Sequence, residues 1–259
     1  MLIKITKSCN NGCTHCCNDS KPSKEHMSLS TFKDVLHFCN KNDDNLMGHE
    51  LAGGEPFEHP LIWEFVKEYF EYFGKDKILT IATNGHYLAE NQQLVCEYLD
   101  KYPGLFFQVT YDKRFYPKKL DTTKRIFHNK KVGLIDNLTH ICPVGRAVQN
   151  KIEATDNVMS PPCYNLRIIL KQLYRPTLKD FIMTLRSCNK YCIPSIQWDG
   201  YIAFGEYDHC PKHVSIYDEE NKILKAIEED DCQGCPETIE LFISRFKNGD
   251  LKLKKFFEL

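Results

Sequence analysis

What most restricts the fold of this chain is an alternation, sustained over its first 111 residues, between short strand-like runs and longer helix-like ones. Ile3 to Thr6 reads as a strand. Ser28 to Asn40 reads as a helix, with Ser28 or Ser30 as its cap and Phe32, Val35, Leu36 and Cys39 at helical spacing. Leu46 to Ala52 is a second strand ending in glycines, and Leu61 to Phe73 is an apolar-faced helix that Gly74 closes. Ile78 to Thr83, Gln92 to Tyr102 and Leu105 to Tyr111 continue as strand, helix and strand. Such alternation builds a parallel α/β sheet, whose ligands sit just past the strand ends. Further on the pattern loosens. Lys118 to Asn129 predicts a helix, Val132 to Leu138 a fifth strand and Leu166 to Leu170 a sixth, with Pro161-Pro162 in the irregular stretch between them.

The chain has 259 residues, enough for one domain or two, and its 42% hydrophobic content supplies a sizeable core. A net charge of -1 with both signs interspersed gives no field that would gather nucleic acid or an anionic membrane. No apolar run approaches the roughly 20 residues of a membrane span. The first residues lead straight into a strand and a cysteine loop, with no signal-peptide pattern, so the expectation is a cytoplasmic protein. In a reducing compartment thirteen cysteines are read as ligands or buried side chains rather than disulfides. Cys39, Cys96, Cys142 and Cys163 stand alone and read as structural.

Cys9, Cys13 and Cys16 form a Cys-x3-Cys-x2-Cys run directly after the first strand, and Gly53-Gly54-Glu55-Pro56 follows the second. Three thiolates on one loop suit a 4Fe-4S cluster with one iron left open. The cysteine run resembles the signature of radical S-adenosylmethionine (radical SAM) enzymes, Cys-x3-Cys-x-aromatic-Cys, with His15 in the ring-bearing position. Their second motif is a Gly-Gly-Glu stretch. The resemblance implies a partial (β/α)6 barrel over roughly residues 1 to 180. It also implies that the open iron chelates SAM, and that an electron from the cluster splits SAM into methionine and a 5'-deoxyadenosyl radical. Cys17 reads as a small buried side chain. The alternative for the cysteines is structural zinc.

Candidate SAM-binding residues are His15, Gly53, Gly54, Glu55, Asn84, Gln108, Thr110 and Arg146. The glycines let backbone approach a ligand, and Glu55 adds negative charge near the SAM ammonium group. Asn84 lies in the Thr83-Asn84-Gly85 turn, where its alternative role is turn former. Gln108, Thr110 and Asp112 alternate with apolar residues and share one strand face. Arg146 belongs to a Pro143-Val144-Gly145-Arg146-Ala147 segment similar to one in family members with extra clusters, and its planar fork suits a carboxylate. A solvated surface arginine is the alternative.

The C-terminal part, residues 181–259, carries Cys188, Cys192, Cys210, Cys232 and Cys235. Cys192-x12-Gly205-x4-Cys210 resembles the opening of SPASM and twitch domains, which implies an auxiliary 4Fe-4S cluster held by Cys192, Cys210, Cys232 and Cys235, with Cys188 as rival. A four-cysteine zinc ribbon is the alternative. Pro194 to Phe204 predicts a β-hairpin around Asp199-Gly200, Val214 to Tyr217 a third strand, and 221–230 and 236–247 two helices.

The function these resemblances imply is hydrogen abstraction from a peptide or protein side chain, with the auxiliary cluster assisting oxidation. Oxidation of a small molecule or nucleotide is the alternative enzymatic reading, and a zinc-binding module the non-enzymatic one. The partners implied are a peptide or small-molecule substrate and an electron donor such as flavodoxin or ferredoxin.

Overall fold

A computed structural model describes residues 1–43, 48–138, 141, 145–152, 177–179, 195–203 and 212–229. Its strands are β1 (Leu2–Thr6), β2 (His49–Gly53), β3 (Leu79–Thr83), β4 (Leu105–Thr110), β5 (Val132–Ile135), β6 (Ser195–Ile196), β7 (Tyr201–Ala203) and β8 (Lys212–Ser215). They form one sheet in the order β5-β4-β3-β2-β1-β6-β7-β8. From β5 to β6 every pairing is parallel; the last two are antiparallel. The helices are α1 (Leu29–Asn42), α2 (Ile62–Phe73), α3 (His86–Glu90), α4 (Gln92–Lys101), α5 (Arg146–Gln149) and α6 (Glu220–Glu229). The architecture is α/β, a partial barrel of largely parallel strands.

Local chemistry explains the element ends. Ser28 caps α1 by accepting from the Thr31 N–H, and Gly74 at φ 89° stops α2 where few other residues could. Along the strands, Ile3, Ile5, Leu51, Leu79, Ile81, Leu105, Phe107 and Val109 are buried in one core with Phe32, Val35, Phe65, Tyr69, Val95 and Leu99 of α1, α2 and α4. Each fully buried side chain of this size contributes roughly 1.5–3 kcal/mol. Phe32 and Phe65 stack at 4.2 Å and join α1 to α2. The alternate residues Thr80, Ala82, Gln108 and Thr110 face the other way.

Two regions differ from the sequence expectation. Instead of a helix over Lys118 to Asn129, only a short 3-10 turn forms at Arg125–His128. Asp121 is the reason: its Oδ1 accepts from the Thr123 N–H at 3.1 Å and hydroxyl at 2.6 Å, a local turn that competes with helical bonding. The hairpin forms with Gly200 at φ 80°, but β6 lies parallel to β1, so the hairpin extends the main sheet. The expected strand at 166–170, the helix at 236–247, and Cys142, Cys163 and Leu46 lie outside the described residues. No helix among the described residues is long and apolar enough to cross a membrane.

Candidate active site

A cavity of about 390 Å³ opens at the C-terminal ends of β1 to β4. Cys9, Cys13, His15 and Cys16 line it on the loop after β1, Gly53, Gly54 and Glu55 at and after the end of β2, Thr83 and Asn84 at and after the end of β3, and Thr110 and Tyr116 on and after β4.

The loop after β1 is locked against the end of β2. The Gly54 N–H donates to the Thr6 carbonyl at 2.9 Å and the Glu55 N–H to the Ser8 carbonyl at 2.7 Å. A Cβ on Gly53 would stand 2.2 Å from the Thr6 carbonyl oxygen, and one on Gly54 2.1 Å from that of Ser8. The glycines are thus needed for the close approach of the cysteine loop to the end of β2. Glu58 takes the Ser8 hydroxyl at 2.5 Å and the Asn10 N–H at 2.7 Å.

Glu55 is buried, and its carboxylate accepts from the Thr83 hydroxyl at 2.7 Å, the Asn84 N–H at 2.8 Å and the Phe57 N–H at 3.2 Å. Burial pushes its carboxyl up to about 7 against the pull of these bonds. It ties the ends of β2 and β3 together. The Asn84 side chain accepts from the His86 N–H at 3.1 Å and so starts α3.

On the other side, the segment after β4 crosses the cysteine loop. The Thr14 N–H donates to the Phe115 carbonyl at 3.0 Å, and Lys118 Nζ to Asn10 Oδ1 at 2.8 Å. The His15 ring packs 5.0 Å from Phe115 and 5.4 Å from Tyr116. Asp112 is occupied by a bidentate pair with Arg114 and by the Leu138 N–H, which hold its carboxyl far below the usual range.

The far end of the loop meets α5. The Arg146 N–H donates to the Cys16 carbonyl at 2.9 Å, Nη2 donates to the Ser20 carbonyl at 2.8 Å, and Nε lies 3.1 Å from Asp19 Oδ1. Gly145 precedes it at φ 58°, where a Cβ would lie 2.4 Å from the Cys17 carbonyl oxygen. Arg146 therefore holds the cysteine loop and is not among the cavity-lining residues; nor is Gln108, which is exposed on β4.

The donor set fits an iron-sulfur cluster. Cys9, Cys13 and Cys16 face one cavity, and three soft sulfur donors on one loop suit an iron-sulfur cluster with one iron left open. Burial pushes the Cys9 thiol up to about 11 and that of Cys13 to about 12, so thiolates there are disfavoured without positive charge beside them. Cys17 also lines the cavity, and Cys39 is fully buried in the core. Cys188, Cys192, Cys210, Cys232, Cys235, Pro143 and Val144 lie outside the described residues.

Sequence reasoning brought His15, Gly53, Gly54, Glu55, Asn84 and Thr110 to one place with the three cysteines. It missed Asn11, Glu58 and Tyr116. The Glu58 and Tyr116 contacts join distant parts of the chain, while Asn11, inside the cysteine run, carries no local pattern that marks its inward side chain.

No family model matches the sequence, and no curated protein does. Among solved structures the chain is similar to BtrN in complex with AdoMet and 2-DOIA, at TM-score 0.51 and 18% identity over 89% of this chain and 82% of that one. It is also similar to anSMEcpe with bound AdoMet and Cp18Cys peptide, at TM-score 0.52 and 15% identity over 90% of this chain and 82% of that one. At these identities the likeness is one of fold. With its cysteine loop after the first strand and its glycine turn after the second, the chain has the fold of the radical SAM enzymes.

Proposed function

We propose that this chain is a radical SAM enzyme in which Cys9, Cys13 and Cys16 hold a 4Fe-4S cluster and SAM lies between it and the Gly53-Gly54 turn. The observation that carries the reading is that two motifs distant in sequence line one cavity at the strand ends. When bound, the cluster supplies the electron that splits SAM into methionine and the 5'-deoxyadenosyl radical that removes a substrate hydrogen. The chain's residues bind and orient. The glycine backbone receives the SAM ammonium group, with the Glu55 charge behind it. Glu55, which already accepts three hydrogen bonds from the protein, acts by fixing the turn and Asn84. His15, Thr110 and Tyr116 flank the ligand and exclude water from it.

The substrate we infer is a peptide or protein side chain, in keeping with the peptide held by anSMEcpe. The 2-DOIA held by BtrN favours a second reading, oxidation of a small molecule. Residues 181–259 are proposed as a twitch-like domain with an auxiliary cluster on Cys192, Cys210, Cys232 and Cys235, the described hairpin lying between the first two. A low-potential carrier such as flavodoxin or ferredoxin would deliver the electron.

The test is anaerobic iron and sulfide analysis with EPR of the reduced protein, with and without SAM, on wild type and on a Cys9→Ala, Cys13→Ala, Cys16→Ala variant. About eight irons falling to about four, with a SAM-perturbed signal and 5'-deoxyadenosine only in wild type, supports the reading. Zinc in place of iron, or a reduced cluster indifferent to SAM, sinks it.

A further inference from the structure

Asn11 stands between the first two cysteines of the loop, and its side chain is turned inward. It is 2% exposed and lines the cavity. Its Nδ2 donates to Cys13 Sγ at 3.1 Å. Its Oδ1 is buried too, and has no hydrogen-bond partner among the described residues. Packing alone does not account for an amide here. Burying an amide costs more than burying an apolar side chain of similar size unless its polar atoms find partners. What the amide supplies and an apolar residue cannot is the N–H aimed at sulfur.

We propose that Asn11 raises the reduction potential of the cluster by hydrogen-bonding to the Cys13 thiolate. The inference rests on the assignment of Cys9, Cys13 and Cys16 as cluster ligands. A thiolate on iron carries no hydrogen, so it accepts, and of the two ends of the amide only Nδ2–H suits it. The bond draws electron density from sulfur and so stabilises the cluster more once it has gained an electron. Hydrogen bonds to the sulfurs, together with burial, set such potentials. The buried position strengthens the effect and keeps solvent from replacing the donor. One electron enters from the external low-potential carrier, and no bond of the chain is made or broken. Asn11 is thus a positioning residue: it reaches neither SAM nor substrate in this role, and acts through Cys13.

The experiment compares wild type with Asn11→Leu and Asn11→Ser, each loaded with iron and sulfide, and reads the midpoint potential from EPR of samples poised with redox mediators. Asn11→Leu is expected to keep its iron but shift to a more negative midpoint, so that it is mostly oxidised where wild type is half reduced. Asn11→Ser, which retains a hydroxyl donor, is expected between the two. A loaded Asn11→Leu protein with an unchanged midpoint overturns the inference and leaves the radical SAM assignment standing. A wild type that binds no cluster removes both. If Asn11→Leu fails to load, electron-nuclear double resonance decides on reduced wild type with isotopically labelled asparagine side-chain nitrogen. A coupling across the amide–sulfur bond upholds the inference, and its absence overturns it.

Discussion

The two walls that enclose the cysteine loop are built in different ways. The wall after β2 consists of directed bonds: the glycines interlock with Thr6 and Ser8, Glu55 takes three donors and Glu58 two. The wall after β4 consists mainly of rings, with Phe115 and Tyr116 against His15 and Tyr111 against Tyr116. Hydrogen bonds demand narrow distances and angles, whereas ring pairs tolerate a range of separations and tilts. The first wall therefore places the cysteines, and the second covers them.

The harshest way to break this contrast is Gly54→Ala. Its Cβ would fall 2.1 Å from a backbone oxygen that has no room to yield, so a loss of at least about 2 kcal/mol is expected. Iron uptake should fail with it. Thermal unfolding of the apo protein and iron analysis check both, and a variant that loads iron normally would mean that the β2 wall does not place the cysteines.

Next is Glu55→Gln, expected to cost about 1–3 kcal/mol because its amide N–H₂ would confront groups that are themselves donors. The pH dependence sharpens the point. Burial raises the folded value to about 7 from an ordinary 4.5, so the native state binds the proton more tightly between those values. Stability from this group is therefore highest below about 4.5, falls as pH rises through about 7, and is level above that. Urea unfolding across this range should show that slope in wild type and lack it in Glu55→Gln; equal slopes would show that Glu55 ionises in the folded protein as it does in the unfolded chain.

The smallest effect on iron uptake is expected from Phe115→Ala on the other wall. It removes a ring 5.0 Å from His15, one whose loss should cost about 0.5–1.5 kcal/mol beyond its area while leaving iron uptake intact. If iron content collapsed as in Gly54→Ala, the distinction between placing and covering would be lost.

How much of this was legible in the sequence depended on whether the cause was local. The period of Phe32, Val35, Leu36 and Cys39, the Ser28 cap and the Gly74 stop each lie within one helix, and α1 and α2 form where those signals put them. The cysteine run and the Gly53-Gly54-Glu55 turn were legible because each follows a strand, and parallel sheets bring strand ends together. Arg146 was legible as a cation in a motif, but not as the clamp on Asp19 and Ser20, because its partners lie more than a hundred residues earlier. The helix expected from Lys118 failed for the opposite reason: helical spacing was counted, while the short-range turn made by Asp121 was not.

The pairing of β1 on both sides has a consequence for how the protein is made. Leu2 and Ile3 meet Glu50 and Leu51 on one edge, but Ser195 and Ile196 on the other. At roughly 5–20 residues per second of synthesis, the second edge stays open for on the order of ten to forty seconds after the first strand emerges. During that interval a nascent sheet exposes an unpaired strand beside its oxygen-sensitive thiols, a template for joining the wrong chain. Yield in a cell is thus governed by elongation rate and chaperone supply as well as by the stability of the finished molecule.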